Sequence, residues 1–142
     1  MLLGALFTSC TTTPYSQREA NVQKVIDLIQ AGEAEALVAQ SQLPFLFDAE
    51  IIMLERDLQT LWGNLSEAGF SMQNAQVEYL GPAGRYSYPP FAESFEVRTF
   101  FKKYLPEKSS MVRITADNGE FFLLLGPRED EAPAIIGYRM NL

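Results

Sequence analysis

Asp117-Asn118-Gly119 constrains the fold more than any other feature of this chain. Asn and Gly tolerate positive φ, and a tight hairpin reversal requires it. The run before it, Met111-Val-Arg-Ile-Thr115, alternates apolar and polar side chains. The run after it, Glu120 to Leu125, returns as a partner of similar length. Two such runs about such a turn predict a β-hairpin. Ala134-Ile-Ile-Gly-Tyr-Arg-Met140 reads as a last strand beyond a charged loop, Pro127 to Pro133. The C-terminal part of the chain is therefore β.

The N-terminal part has a different period. Val22, Val25, Ile26 and Ile29 recur at helical spacing, with Ser16 and Glu19 placed as a capping box and Gly32 as the stop. A second short helix is expected from Glu33 to Gln40, with Ala34, Leu37 and Val38 inward and Pro44 ending it. Phe45 to Ile52 is rich in aromatic and β-branched residues, and reads as one strand or two short strands meeting near Asp48. Leu54, Leu58, Leu61, Trp62 and Leu65 mark an amphipathic helix ending at Ala68-Gly69. Met72 to Leu80 alternates as a strand until Gly81-Pro-Ala-Gly84 breaks it. Arg85 to Phe91 is an irregular aromatic loop. Val97, Phe100, Phe101 and Tyr104 keep helical spacing up to Pro106, with a twisted strand as the alternative.

These elements predict an α+β fold: a curved, mostly antiparallel sheet packed by three or four helices. With 142 residues, 47% of them hydrophobic, the chain can bury a core without disulfide or metal staples. We expect one domain over 18–142, preceded by a distinct segment over 1–17.

Composition removes several function classes. The net charge of −7, with scattered Lys and Arg, argues against nucleic acid, which needs clustered cations. Histidine is absent, and with it the commonest general base, the commonest metal ligand and any Ser-His or Cys-His pair. A single cysteine allows neither an internal disulfide nor a Cys-rich zinc site. Arg128-Glu-Asp-Glu131 lacks the spacing of a metal loop. No metal and no cofactor is expected.

Met1 to Ser9 is apolar and then small, Cys10 follows, and Thr11 to Gln17 is polar. Phe7, Thr8 and Ser9 before Cys10 resemble the lipobox of bacterial lipoproteins. Phe7 stands where that family usually has Leu, and no charged n-region precedes the short apolar stretch. A start upstream of Met1 would account for the missing n-region and the short stretch. The resemblance implies a cleaved signal, a lipid such as palmitate on Cys10, and a membrane anchor. Thr11 at the next position implies an outer-membrane lipoprotein facing the periplasm. A cysteine used in this way suits an oxidising compartment.

Three stretches resemble the nuclear-transport-factor-2-like fold shared with SnoaL-like polyketide cyclases. They are Val22 to Gln40, Phe45 to Gly69 with Leu61-Trp62, and Ile136-Gly-Tyr-Arg139. Ser94 to Leu105 departs from that pattern, because the family continues there in strands. The resemblance implies a cone-like sheet closed by helices around a cavity. It does not fix a reaction, since members include isomerases, cyclases and proteins with no known chemistry.

Candidate site residues follow. Asp48 and Glu50, two apart on one strand, would face the same side and offer a general base. Tyr79, Tyr86, Tyr88 and Tyr138 offer an apolar lining with polar tips. Arg113 and Arg139 could fork a carboxylate, although Glu120 is an equally good partner for Arg113 across the hairpin. Trp62 reads as core. Phe100-Phe101 beside Lys102-Lys103 reads as core with a polar end, with contact to a membrane surface as the alternative.

The expected function is a non-enzymatic envelope lipoprotein that binds a small apolar ligand or a protein partner. A cavity enzyme of cyclase or isomerase type, using Asp48 or Glu50, is the second reading. A structural subunit that forms a homodimer through an open sheet face is the third.

Overall fold

The computed structural model describes residues 14–69, 72–127 and 132–141. Cys10, its apolar leader and the Arg128–Glu131 loop lie outside the described residues. Helix α1 spans Pro14–Ala31, α2 Ala34–Gln40 and α3 Glu55–Glu67. Strands β1 (Ser41–Phe47) and β2 (Glu50–Ile52) lie between α2 and α3. Strand β3 (Gln76–Pro82) follows α3. Then come α4 (Phe95–Thr99), one π-helical turn over Phe100–Tyr104, and strands β4 (Ser110–Ala116), β5 (Gly119–Leu125) and β6 (Ile135–Asn141).

The fold is α+β, as the periodicities predict. Six strands form one mixed, mostly antiparallel sheet that does not close, in the order β2-β1-β6-β5-β4-β3. The hairpin about Asp117–Gly119 is present, with Thr115 opposite Glu120 and Ala116 opposite Gly119. Gly119 has φ +146, which explains glycine at that corner. The last strand pairs antiparallel with β5 and parallel with β1.

Three expectations need correction. α1 begins at Pro14, so Ser16 lies inside its first turn and does not cap it. Proline suits that first turn because its missing N–H would lack a helical partner in any case. Pro44 does not end α2, which stops at Gln40. It lies within β1, where the register against β6 shifts between Ser41 and Leu46, and a proline is tolerated at such an irregularity. Gly81 and Pro82 extend β3 instead of breaking it. The Tyr79 phenol lies where a side chain at position 81 would stand.

Both faces of the sheet carry a packed layer. Helices α1 to α3 lie on the first face, where Val25, Ile29 and Leu58 meet Ile114, Phe121 and Leu123. Trp62 is fully buried, edge-on to Phe45 at 6.0 Å and to Tyr138 at 5.7 Å. Its indole N–H donates to Ser41 Oγ at 3.0 Å, and that hydroxyl donates to the Leu37 carbonyl at 2.6 Å. A buried Trp therefore keeps its polar group satisfied. The gap bounded by Ile29, Leu37, Trp62 and Leu65 holds only about 10 Å³. That gap is too small to hold a ligand.

The second face carries the segment from Ala83 to Leu105. Phe91, Val97, Phe100 and Phe101 pack there against Leu46, Met111, Leu124 and Ile136. This layer covers the end of the face formed by Leu46, Met111, Leu124 and Ile136, and leaves Tyr79 and Arg113 exposed beyond it.

Candidate functional site

The covering segment builds its own geometry. Gly84 and Ser87 close one turn, with the Ser87 N–H donating to the Gly84 carbonyl at 2.9 Å and Ser87 Oγ accepting from the Gly84 N–H at 3.0 Å. Tyr88 closes the next, accepting at its carbonyl from Phe91 at 2.9 Å. Ser94 caps α4, its Oγ accepting from the Val97 N–H at 3.2 Å. The helical reading of 97–104 holds, and the last turn widens so that the Leu105 N–H reaches the Phe100 carbonyl at 3.0 Å. In that turn Phe100 and Phe101 are both buried, while Lys102 and Lys103 both reach solvent. Phe101 meets Tyr88 at 6.4 Å and Phe91 at 5.8 Å, and these contacts lock the loop onto the helix.

Between loop and helix lies an open cleft of about 640 Å³. Its walls are Arg85, Tyr86, Tyr88, Phe95, Arg98, Thr99, Lys102 and Lys103. Phe95 is 86% exposed and Tyr86 79%, far above what large aromatic side chains normally leave in water. The Arg98 guanidinium lies over the Tyr88 ring at 5.3 Å, and that of Arg85 over Tyr86 at 5.9 Å. No carboxylate lines the cleft. Glu96 is turned toward β2, where it accepts the Ile51 N–H at 2.7 Å. Among the described residues, no ion pair involves Arg85, Arg98, Lys102 or Lys103. Aromatic faces and unneutralised cations thus converge on one surface of an otherwise acidic protein.

The predicted site residues fall into separate groups. Tyr86 and Tyr88 meet in the cleft. Tyr79 and Arg113 are brought together elsewhere, as directly opposed residues of β3 and β4, in a row continued by Phe122 and Arg139. Arg113 is engaged there by Glu120 at 3.6 Å, the cross-hairpin ion pair. Tyr138 is not a cavity residue. It is fully buried on the first face, stacked on Phe47 at 6.2 Å and packed against Trp62. Burial, and then the nearby Asp48 charge, raise its phenol pKa far above the ordinary tyrosine value.

Asp48 and Glu50 do not share one strand face. Asp48 occupies the corner between β1 and β2 at φ +52, and Glu50 opens β2 on the exposed side. Alternation does not carry across such a corner, which is why the two-residue spacing misleads. Asp48 is half-buried, its N–H donating to the Tyr138 carbonyl at 3.0 Å and its Oδ1 buried without a hydrogen bond. Neither carboxylate lines the cleft. Among the described residues, no three His, Cys, Asp or Glu side chains are grouped to hold a metal ion. No helix among them is long and apolar enough to cross a membrane.

Sequence reasoning missed Arg85, Phe95 and Arg98 as partners of Tyr86 and Tyr88. Arg98 and Lys102 stand four apart, flanking the Val97 and Phe101 stripe, and that spacing was the available signal. Compared with known proteins, the chain matches no family model, no curated protein and no solved structure.

Proposed function

We propose that this chain is a non-enzymatic, lipid-anchored protein of the bacterial envelope whose working surface is the cleft between Arg85–Tyr88 and α4. Its ligand is an amphiphilic anion, with an apolar body for Tyr86 and Phe95 and an acidic group for Arg85 and Arg98. The observation that carries this reading is the pairing of two strongly exposed aromatic rings with four cations that make no ion pair among the described residues, and no lining carboxylate. Exposed apolar area of this kind costs free energy until a ligand covers it. A guanidinium held over a ring is oriented for a planar acid, so less entropy is lost on binding.

The small gap beside Trp62, set against the 640 Å³ of the cleft, supports a surface site over a site under the helices. The order of helices and strands supports the kinship with nuclear-transport-factor-2-like domains that we propose. The lipobox resemblance around Cys10 supports an anchor in the outer membrane with the domain facing the periplasm. Titration with monomeric short-chain phosphatidylglycerol tests the ligand class. Saturable binding that is lost in Tyr86→Ala/Phe95→Ala is the expected result. Equal binding by both proteins, or none by either, overturns the reading.

A further inference from the structure

We infer that the cleft docks the domain onto an anionic phospholipid bilayer, the membrane itself presenting the ligand. This rests on the amphiphile reading above and names its source. Three observations carry it.

The first is shape. Small-molecule sites enclose most of their ligand. Here Phe95 and Tyr86 project from the rim of an open cleft, 86% and 79% exposed. Projecting aromatic rings suit the boundary between headgroups and acyl chains, where one end of the ring is dry and the other wet.

The second is the distribution of charge. The chain has net charge −7. Helices α1 to α3, on the first face, carry Glu19, Asp27, Glu35, Glu55, Asp57 and Glu67 against Arg18, Lys24 and Arg56. On the second face, the segment from Ala83 to Leu105 carries Arg85, Arg98, Lys102 and Lys103 against Glu93 and Glu96. The molecule therefore presents a basic face and an acidic face on opposite sides of its sheet. An anionic bilayer attracts the first and repels the second, which fixes orientation. The aromatic tips and the cations occupy the same patch, as an interfacial contact requires.

The third is the place of the tether. Arg18, in the second turn of α1, lines a cleft with Pro82 and Lys108. Pro82 stands three residues before Arg85, and Lys108 five residues after Lys103. Arg18, eight residues beyond Cys10, therefore lies near the positions where the chain enters and leaves the basic segment. A lipid on Cys10 would hold that end of the domain at the membrane. The cleft then supplies a second, weaker contact of the kind that makes single-chain anchoring stable.

The test uses the full chain with Cys10→Ser, so that no lipid masks the cleft. Co-sedimentation is measured with vesicles of phosphatidylcholine alone and of phosphatidylcholine with phosphatidylglycerol in equal parts. The apolar leader contributes equally to every arm, so the difference between arms is the readout. Preferential binding to the anionic vesicles is expected, weakened by added salt. It should fall about fivefold for each cation replaced in Arg98→Gln and Lys102→Gln, and further in Phe95→Ala. These side chains are exposed, and circular dichroism checks that each variant stays folded. Equal binding to both vesicle types, or anionic binding unchanged in the cleft variants, overturns the inference. Monomeric short-chain phosphatidylglycerol separates the two claims. If it binds the cleft while vesicles do not, docking fails and the amphiphile reading stands; if neither binds, both fail. A cross-link from the cleft to an envelope protein, without vesicle binding, also overturns docking.

Discussion

The Arg98 guanidinium lies 5.3 Å above the Tyr88 ring, which is itself edge-on to buried Phe101. The contact ties a charged rim residue to the second core of the protein. Such a pair contributes on the order of 0.5–1 kcal/mol at an exposed site. Tyr88→Leu keeps apolar bulk but removes the ring face that orients Arg98. We expect short-chain phosphatidylglycerol to bind this variant about two- to fivefold more weakly, with thermal stability lowered by loss of the ring contact to Phe101. Calorimetric titration beside a melting curve measures both.

Asp48 is the weak point of the β1–β2 corner. Its Oδ1 is buried without a hydrogen bond, beside a buried tyrosine. Asn tolerates the positive φ found there and carries no charge. Asp48→Asn should therefore raise stability, by about 1 kcal/mol, in chemical denaturation. A loss of stability would mean that the carboxylate has a role this geometry does not provide.

Tyr138 sets an alkaline limit on the fold. Its folded pKa is raised, first by burial and then by the Asp48 charge, so the folded chain keeps a proton that the unfolded chain releases above about pH 10. Stability from this group is complete below that pH and declines as pH rises above it. Denaturation midpoints should fall through this range in the wild type and fall less in Tyr138→Phe. Parallel curves for the two proteins would show that Tyr138 ionises freely.

Gly137 faces Leu124 across β5 and β6, and a Cβ there would stand 2.9 Å from Leu124 Cδ1 and 3.1 Å from its Cβ. The Leu124 Cβ cannot rotate away, so Gly137→Ala must shift backbone in a packed layer. A loss of about 1–3 kcal/mol is expected. Gly81→Ala meets only the half-exposed Tyr79 ring, which can swing aside, and should cost less. Paired urea curves compare the two.

Local chemistry made much of this fold legible. Positive φ at Gly119 and the alternating runs about it gave the hairpin, and the Leu58–Trp62 stripe gave α3 with its buried face. What stayed hidden depends on contacts distant in sequence. The parallel pairing of β1 with β6 carries Pro44 into a strand, and the positive φ at Asp48 separates it from Glu50. Tyr138 reads as a cavity tyrosine until Trp62 and Phe47 are seen to close over it. For the cleft, Tyr86 and Tyr88 were visible as loop aromatics. Arg98 and Phe95 joined them only because Phe91 and Phe101 lock the loop onto the helix.

The binding surface itself is tested most directly by amide NMR during titration with monomeric dihexanoyl phosphatidylglycerol. The account predicts saturable shifts confined to Arg85–Tyr88 and Phe95–Lys103, with Trp62 and Tyr138 unmoved. Shifts centred on Trp62 and Tyr138, or none at saturating ligand, would contradict it.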